Sequence, residues 1–414
     1  MKNHNLLKSI GPGILLAGAA IGGSHLLAAT TAGAKYGFSL LWIVLLINLF
    51  KYPFFEYAQR YTAATNETIL DGYQRLGRWE IIVFFLLSLF AAIANIAGVS
   101  LIAGILAAEL FGSTPHPFLW TAGVLGLCST LIVVGHYKWL DRVMKIQISL
   151  LAIATTVALA AAVHYNKGFE LSATSPDVWN PTGILFLIAL MGWMPAPIEL
   201  SAWTSLWMQE RREETGHEPT VREARIDFHI GYITTAVLAV IFLSLGALVM
   251  FGSGETLQAG AGFAKQLIEL YTRALGGWIR PVVALAAFIT MFSTSLTCID
   301  GYPRALAASL QRIVPAWRNR FKPLYFSAMG IITLLSLAVV GIFVHSLKAM
   351  LGLAMILSFL AAPVFAIINY RIVTADFMPA ADRPGPKMRI LSWIGILFLI
   401  GFSLLFIISN LIKT

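Results

Sequence analysis

Long apolar runs separated by short polar connections follow one another from one end of the chain to the other. A helix needs about 20 mostly apolar residues to cross a bilayer. Such runs lie at 11–34, 38–62, 80–111, 117–135, 143–163, 180–207, 228–252, 279–309, 324–346, 349–373 and 390–411. The pattern predicts an all-α membrane protein of about eleven transmembrane helices. The longest polar connections are Tyr165–Asn180, Gln209–Arg225 and Gly252–Gly277. None offers room for a soluble domain, so one transmembrane domain over 1–414 is expected. Met1–Ile10 is short and polar, and the apolar run behind it has no A-x-A cleavage site, so no removable signal peptide is expected.

Two spans carry residues that a continuous helix avoids. The first reads Gly18-Ala19-Ala20-Ile21-Gly22-Gly23-Ser24-His25, and the sixth reads Gly192-Trp193-Met194-Pro195-Ala196-Pro197. Gly and Pro are common in membrane helices and often mean no more than a kink. Here the breaks fall in spans one and six, the matching members of two five-helix halves over about 11–163 and 180–373, with an extra helix at 390–411. Paired interruptions at matching positions point to a transporter's central site.

Composition sharpens this picture. The chain is 58% hydrophobic and 12% charged, whereas a soluble domain carries roughly a quarter of its residues as charges. The net charge of +9 is spread over short connections rather than gathered on one face, which argues against a nucleic-acid partner and for membrane topology. With the amino terminus cytoplasmic, the inner connections hold 21 of the 29 Lys and Arg residues, including Lys2 and Lys8. The outer ones hold Lys35, Lys167, Lys265, Arg273, Arg280, Lys348 and Lys413, as the excess of basic residues in cytoplasmic loops requires. The two cysteines, Cys128 and Cys298, sit in apolar runs without a CxxC or Cys/His cluster, so neither a disulfide framework nor a thiolate metal site is indicated.

Gly11-Pro12-Gly13, Ala32-Gly33-Ala34-Lys35-Tyr36-Gly37, Leu41-Trp42 with Asn48-Leu49, and Met194-Pro195 together resemble the NRAMP (natural resistance-associated macrophage protein) transporters. The resemblance implies two inverted five-helix repeats with broken helices 1 and 6, the fold shared with sodium-coupled amino-acid transporters of the APC superfamily. It also implies a metal site made by Asp and Asn of a first-span Asp-Pro-Gly-Asn motif with a sixth-span Met. Counting back from Ala32-Gly33-Ala34, these four positions are Gly22, Gly23, Ser24 and His25. The Met is retained as Met194, the family His after Pro is Ala196, and the third-span acidic position is Asn95. A thioether is a soft neutral ligand that selects among metals without supplying charge. No metal site of the family's kind is therefore expected.

The expected substrate-binding set is Gly22, Gly23, Ser24, His25, Met194, Pro195 and Ala196. A broken helix offers amides at the start of its second half and carbonyls at the end of its first. With the carboxylate gone and His25 added as a donor, a small oxyanion such as bicarbonate or a short carboxylate is the favoured guest. The alternative is a divalent cation, Mg²⁺ or Mn²⁺, held by His25, Met194 and Glu199. For each residue a plainer reading stays open: His25 as a neutral histidine within the bundle, Ser24 as a cap, Met194 as gap-filler. By analogy with the sodium-coupled relatives, Ser293 and Thr294 of span eight and the Ile21 carbonyl are candidates for a coupling sodium ion. Asn95, Glu199 and Asp300 are secondary candidates, Asp300 also being placed to pair with Arg304. Glu56 is expected to pair near Lys51 and Arg60, and Glu109 to lie at an interface. The expected partners are a small ion and the lipid bilayer. No cofactor beyond sodium is expected, no nucleophile–base–acid set indicates an enzyme, and oligomeric state is left open.

Overall fold

The computed structural model describes residues 8–113, 116–165, 175–252, 261–343 and 347–411, and no strand occurs among them. Span one is built from α1 (Pro12–Ala20), a π-helical segment (Gly23–Ala29) and α2 (Thr30–Tyr36). Then follow α3 (Leu41–Thr65), a short α4 (Ile69–Leu76), α5 (Arg78–Leu110) and α6 (Pro117–Tyr165). Span six is α7 (Pro181–Trp193) and α8 (Leu200–Thr215). The remainder is α9 (Val221–Met250), α10 (Ala261–Leu275), α11 (Arg280–Ile313), α12 (Phe321–Phe343), α13 (Leu347–Thr374) and α14 (Pro386–Leu411).

Among the described residues eight helices are long and apolar enough to cross a membrane, joined by the shorter apolar segments Ile148–His164 and Pro181–Trp193. The outer helices turn bulky apolar side chains outward: Ile331, Leu334 and Ile342 on α12, and Ile390, Leu397 and Leu404 on α14 are exposed. Such faces suit lipid, while α11 is buried along most of its length against α5, α6 and α12. Polar start signals sit where the helices begin. Thr68 with Asp71 and Thr220 with Glu223 form capping boxes at α4 and α9, meeting amides that the first turn leaves unpaired. The start of α1 is capped from afar: the Asp227 carboxylate accepts the amides of Gly11 at 2.9 Å and Gly13 at 2.6 Å.

Two expectations are corrected, and one connection differs in form: the predicted spans 117–135 and 143–163 are joined through 136–147 without a break in the 49-residue helical stretch. Polar residues between them mark where apolar character lapses, but 136–147 holds neither Gly nor Pro, so nothing there stops a helix. As a straight rod it would extend about 73 Å, over twice the hydrocarbon thickness. Its two halves nevertheless meet the same stretch of α11: Cys128 contacts the Phe292 carbonyl, and Leu151 and Val157 share a cavity with Val282 and Val283. The polar stretch 252–277 contains α10, which buries Ala264, Leu267, Ile268 and Tyr271, an i, i+3, i+4, i+7 face too short to read as a span. The charged stretch from Gln209 is helical as far as Thr215.

Contacts sort the connections to opposite ends. At one end Arg211 donates to the Lys8 carbonyl, Arg312 pairs with Asp71, Arg371 with Glu80, and Arg60 donates to the Asp382 carbonyl. At the other, Glu109 pairs with Arg280, and Ser39 meets Ser175. Among the described residues, the connections around 60–80, 209–225, 304–322 and 371–389, which are predicted to share a side, are linked at one end. Lys2, Lys167 and Lys413 lie outside the described residues.

Candidate functional site

The two breaks face each other across a cavity of about 30 Å³, room for little more than a water molecule. Its polar lining comes from Ser24, Asn95, Trp193, Thr294, Cys298 and Tyr302, and Ala19, Ala20, Gly23, Ala196 and Pro197 bring the broken backbones to it.

The first break begins where α1 loses its register. Ile21 is the C-cap, and its amide still bonds the Ala17 carbonyl at 2.8 Å. Gly22 and Gly23 then pass so close to neighbours that a side chain has no room. A Cβ on Gly22 would stand 2.4 Å from Thr294 Oγ1, and one on Gly23 would stand 2.4 Å from the Trp193 ring. Ser24 Oγ lies 2.5 Å from the Ala20 carbonyl and 2.6 Å from His25 Nδ1.

His25 does not line the cavity. Its Nε2 is 2.8 Å from the Thr235 carbonyl on α9, and since a carbonyl only accepts, that nitrogen carries a proton. With Nδ1 held against Ser24, both ring nitrogens are engaged inside the bundle, and the ring edge meets Phe242. Met194 is fully buried without lining the cavity; it joins Pro195 through a cis peptide bond. Pro195 offers its carbonyl to Ser24 at a long 3.5 Å.

Sequence reasoning missed three members. Trp193 and Tyr302 belong to a chain of hydrogen bonds: Trp193 Nε1 donates to Asn95 Oδ1 at 2.8 Å, Asn95 Nδ2 to the Tyr302 hydroxyl at 2.5 Å, and Tyr302 to Glu199 Oε1 at 3.2 Å. Glu199 is fully buried one side chain behind the lining, and its Oε2 has no hydrogen-bond partner among the described residues. The third is Lys51, which does not pair with Glu56; Glu56 binds Arg60 at 2.7 Å and Arg225 at 3.2 Å. The signal for Lys51 was an ionisable residue in mid-span. Nothing local marked Trp193 or Tyr302, whose roles arise only where spans three, six and eight converge.

Thr294 reaches across to the first break, its hydroxyl 3.2 Å from the Gly18 carbonyl and 3.1 Å from that of Thr290. Span-eight hydroxyl and first-span carbonyl therefore meet directly. Ser293 instead bonds the Thr290 carbonyl in its own helix at 2.8 Å. Asp300 stands apart from the cavity, bound by Arg304 at 2.7 Å, Trp207 at 2.8 Å and Tyr325 at 2.7 Å, and Arg304 also holds Glu210. Among the described residues no group of three or more His, Cys, Asp or Glu side chains is arranged to hold a metal.

The profile of the family described as "Natural resistance-associated macrophage protein-like" matches residues 13–409. An uncharacterised protein of Pasteurella multocida (strain Pm70), PM0681, is 41% identical over 411 residues, covering 98% of this chain and 93% of its own length. "Metal transporter Nramp6" of Arabidopsis thaliana is 20% identical over 99% of this chain and 78% of its own. A crystal structure of an Eremococcus coleocola manganese transporter superposes with a TM-score of 0.75 at 16% identity, covering 98% of this chain and 87% of that one.

Proposed function

Because the chain belongs to the Nramp family of membrane transporters, we propose that it is a secondary-active carrier of a small metal cation, taken without the family's carboxylate and thioether ligands. The carrying observation is Glu199 Oε2, a buried carboxyl oxygen without a hydrogen-bond partner among the described residues. The nearby side-chain donors are already spent on protein acceptors: Ser24 and Thr294 on carbonyls, Tyr302 on Glu199, Asn95 on Tyr302, Trp193 on Asn95. A site whose donors are used and whose open atom is an acceptor suits a cation. Hard neutral oxygens with one carboxylate suit a hard cation such as Mg²⁺ better than a softer transition metal. The relatives named as metal and manganese transporters support the cation class.

The oxyanion reading loses its main support, because the His25 donor is turned to Thr235. It keeps one specific observation: Gly23 and Ser24 begin the π-helical segment, where first-turn amides lack intrahelical partners. Uptake into proteoliposomes of labelled Mg²⁺ and Mn²⁺ against bicarbonate and acetate decides between the two. The expected result is saturable Mg²⁺ uptake that Glu199→Gln reduces at least tenfold, about 1.4 kcal/mol in a binding or barrier term. Anion uptake insensitive to Glu199→Gln would overturn the cation reading.

A further inference from the structure

Lys51 sits in the middle of α3 and is 0% exposed, yet it makes no ion pair among the described residues. Its Nζ lies instead 2.7 Å from the Met191 carbonyl, 3.0 Å from that of Gly192 and 3.1 Å from that of Ala196. The sequence of the sixth break explains why these oxygens are open. In a continuous helix the Met191 carbonyl would accept from residue 195, which is Pro and carries no N–H. Helix α7 stops at Trp193, leaving its last carbonyls without intrahelical donors. An ammonium has three hydrogens, and here there are three acceptors.

Carbonyls at the end of a broken half-helix form the kind of oxygen cage that holds a free cation. We propose that Lys51 is a tethered cation that fills this cage from within the chain. The sixth-span break then needs no free ion to satisfy its carbonyls, and a transported ion is met from the first-span side and by Glu199 alone. Lys51 thereby sets specificity by closing the sixth-span half of the site to a free ion. The assignment rests on the geometry of the break and holds whichever ion the protein carries.

The test is chemical rescue of Lys51→Ala, measured as the thermal midpoint of purified protein in detergent. Alanine lacks the last three carbons and the ammonium of lysine, which propylammonium supplies. The midpoint should fall by several degrees and recover largely in propylammonium chloride, but not in 1-propanol or tetramethylammonium chloride, which lack the charge or the N–H donors. Lys51→Gln, with two amide hydrogens for three carbonyls, should show a smaller fall and serves as the measurable variant if the alanine protein cannot be purified. Wild type should not respond to propylammonium. Variants that melt like wild type, or losses that neither rescue by propylammonium nor lessen in the glutamine variant, would refute the tethered cation. None of these readouts uses transport, so a failure of the cation-carrier reading leaves this test intact.

Discussion

Gly22 and Thr294 are in such close contact that a Cβ at position 22 would stand 2.4 Å from the threonine Oγ1 and 2.8 Å from its Cγ2. The resemblance assigns this first-span position to a metal-binding Asp; here Thr294 fills the space that a side chain at position 22 would need. A metal ligand cannot be restored here by one substitution.

Gly22→Ala is therefore expected to destabilise by about 1–3 kcal/mol, the usual cost of overpacking. Thr294→Ala in the same chain should recover much of it. A double-mutant cycle on the thermal midpoint checks this, and strictly additive effects would show that the two residues do not collide.

Mn²⁺ and Cd²⁺ should bind weakly, because Gly22 supplies no carboxylate and Met194 does not line the cavity. Calorimetry on purified protein is expected to find no site as tight as the micromolar range, about −8 kcal/mol. Saturable micromolar binding that disappears in Met194→Ala would show that the thioether reaches the ion in another conformation.

Sodium as a coupling ion makes a separate demand. Thr294 Oγ1 and the Gly18 carbonyl, 3.2 Å apart, are the oxygens already brought together, and Ile21 ends the same half-helix. Thr294→Ala should raise the sodium concentration for half-maximal uptake, and Ser293→Ala should do so less, since Ser293 is bonded within its own helix. Uptake unchanged when choline replaces sodium would eliminate this coupling.

Orientation is tested by single cysteine tags. Ser113, beyond the end of α5, and Gln209 on α8 lie at opposite ends of the bundle, marked by the Glu109–Arg280 and Arg211–Lys8 contacts. An impermeant maleimide should label position 113 from outside and position 209 only after permeabilisation. Reversed labelling would place the amino terminus outside.

The sequence by itself determined the spans, the two breaks and the side-sharing of the connections, because each is a local or periodic property. Twenty apolar residues read as a span wherever they occur, Pro195 and Pro197 remove amides in any context, and Arg or Lys in a connection needs no partner to be counted. The same locality explains the errors. The amphipathic α10 is too short to read as a span, and 136–147 stays helical because polarity alone does not end a helix. Only the tertiary structure decided which side chains face the cavity. His25 follows Ser24 directly, yet it turns to Thr235, 210 positions away. Lys51 reaches the sixth break, 140 residues on. Neither partner is implied by its neighbours in the chain, since a buried donor takes whatever acceptor the bundle leaves open, and that is settled only when helices distant in sequence come together.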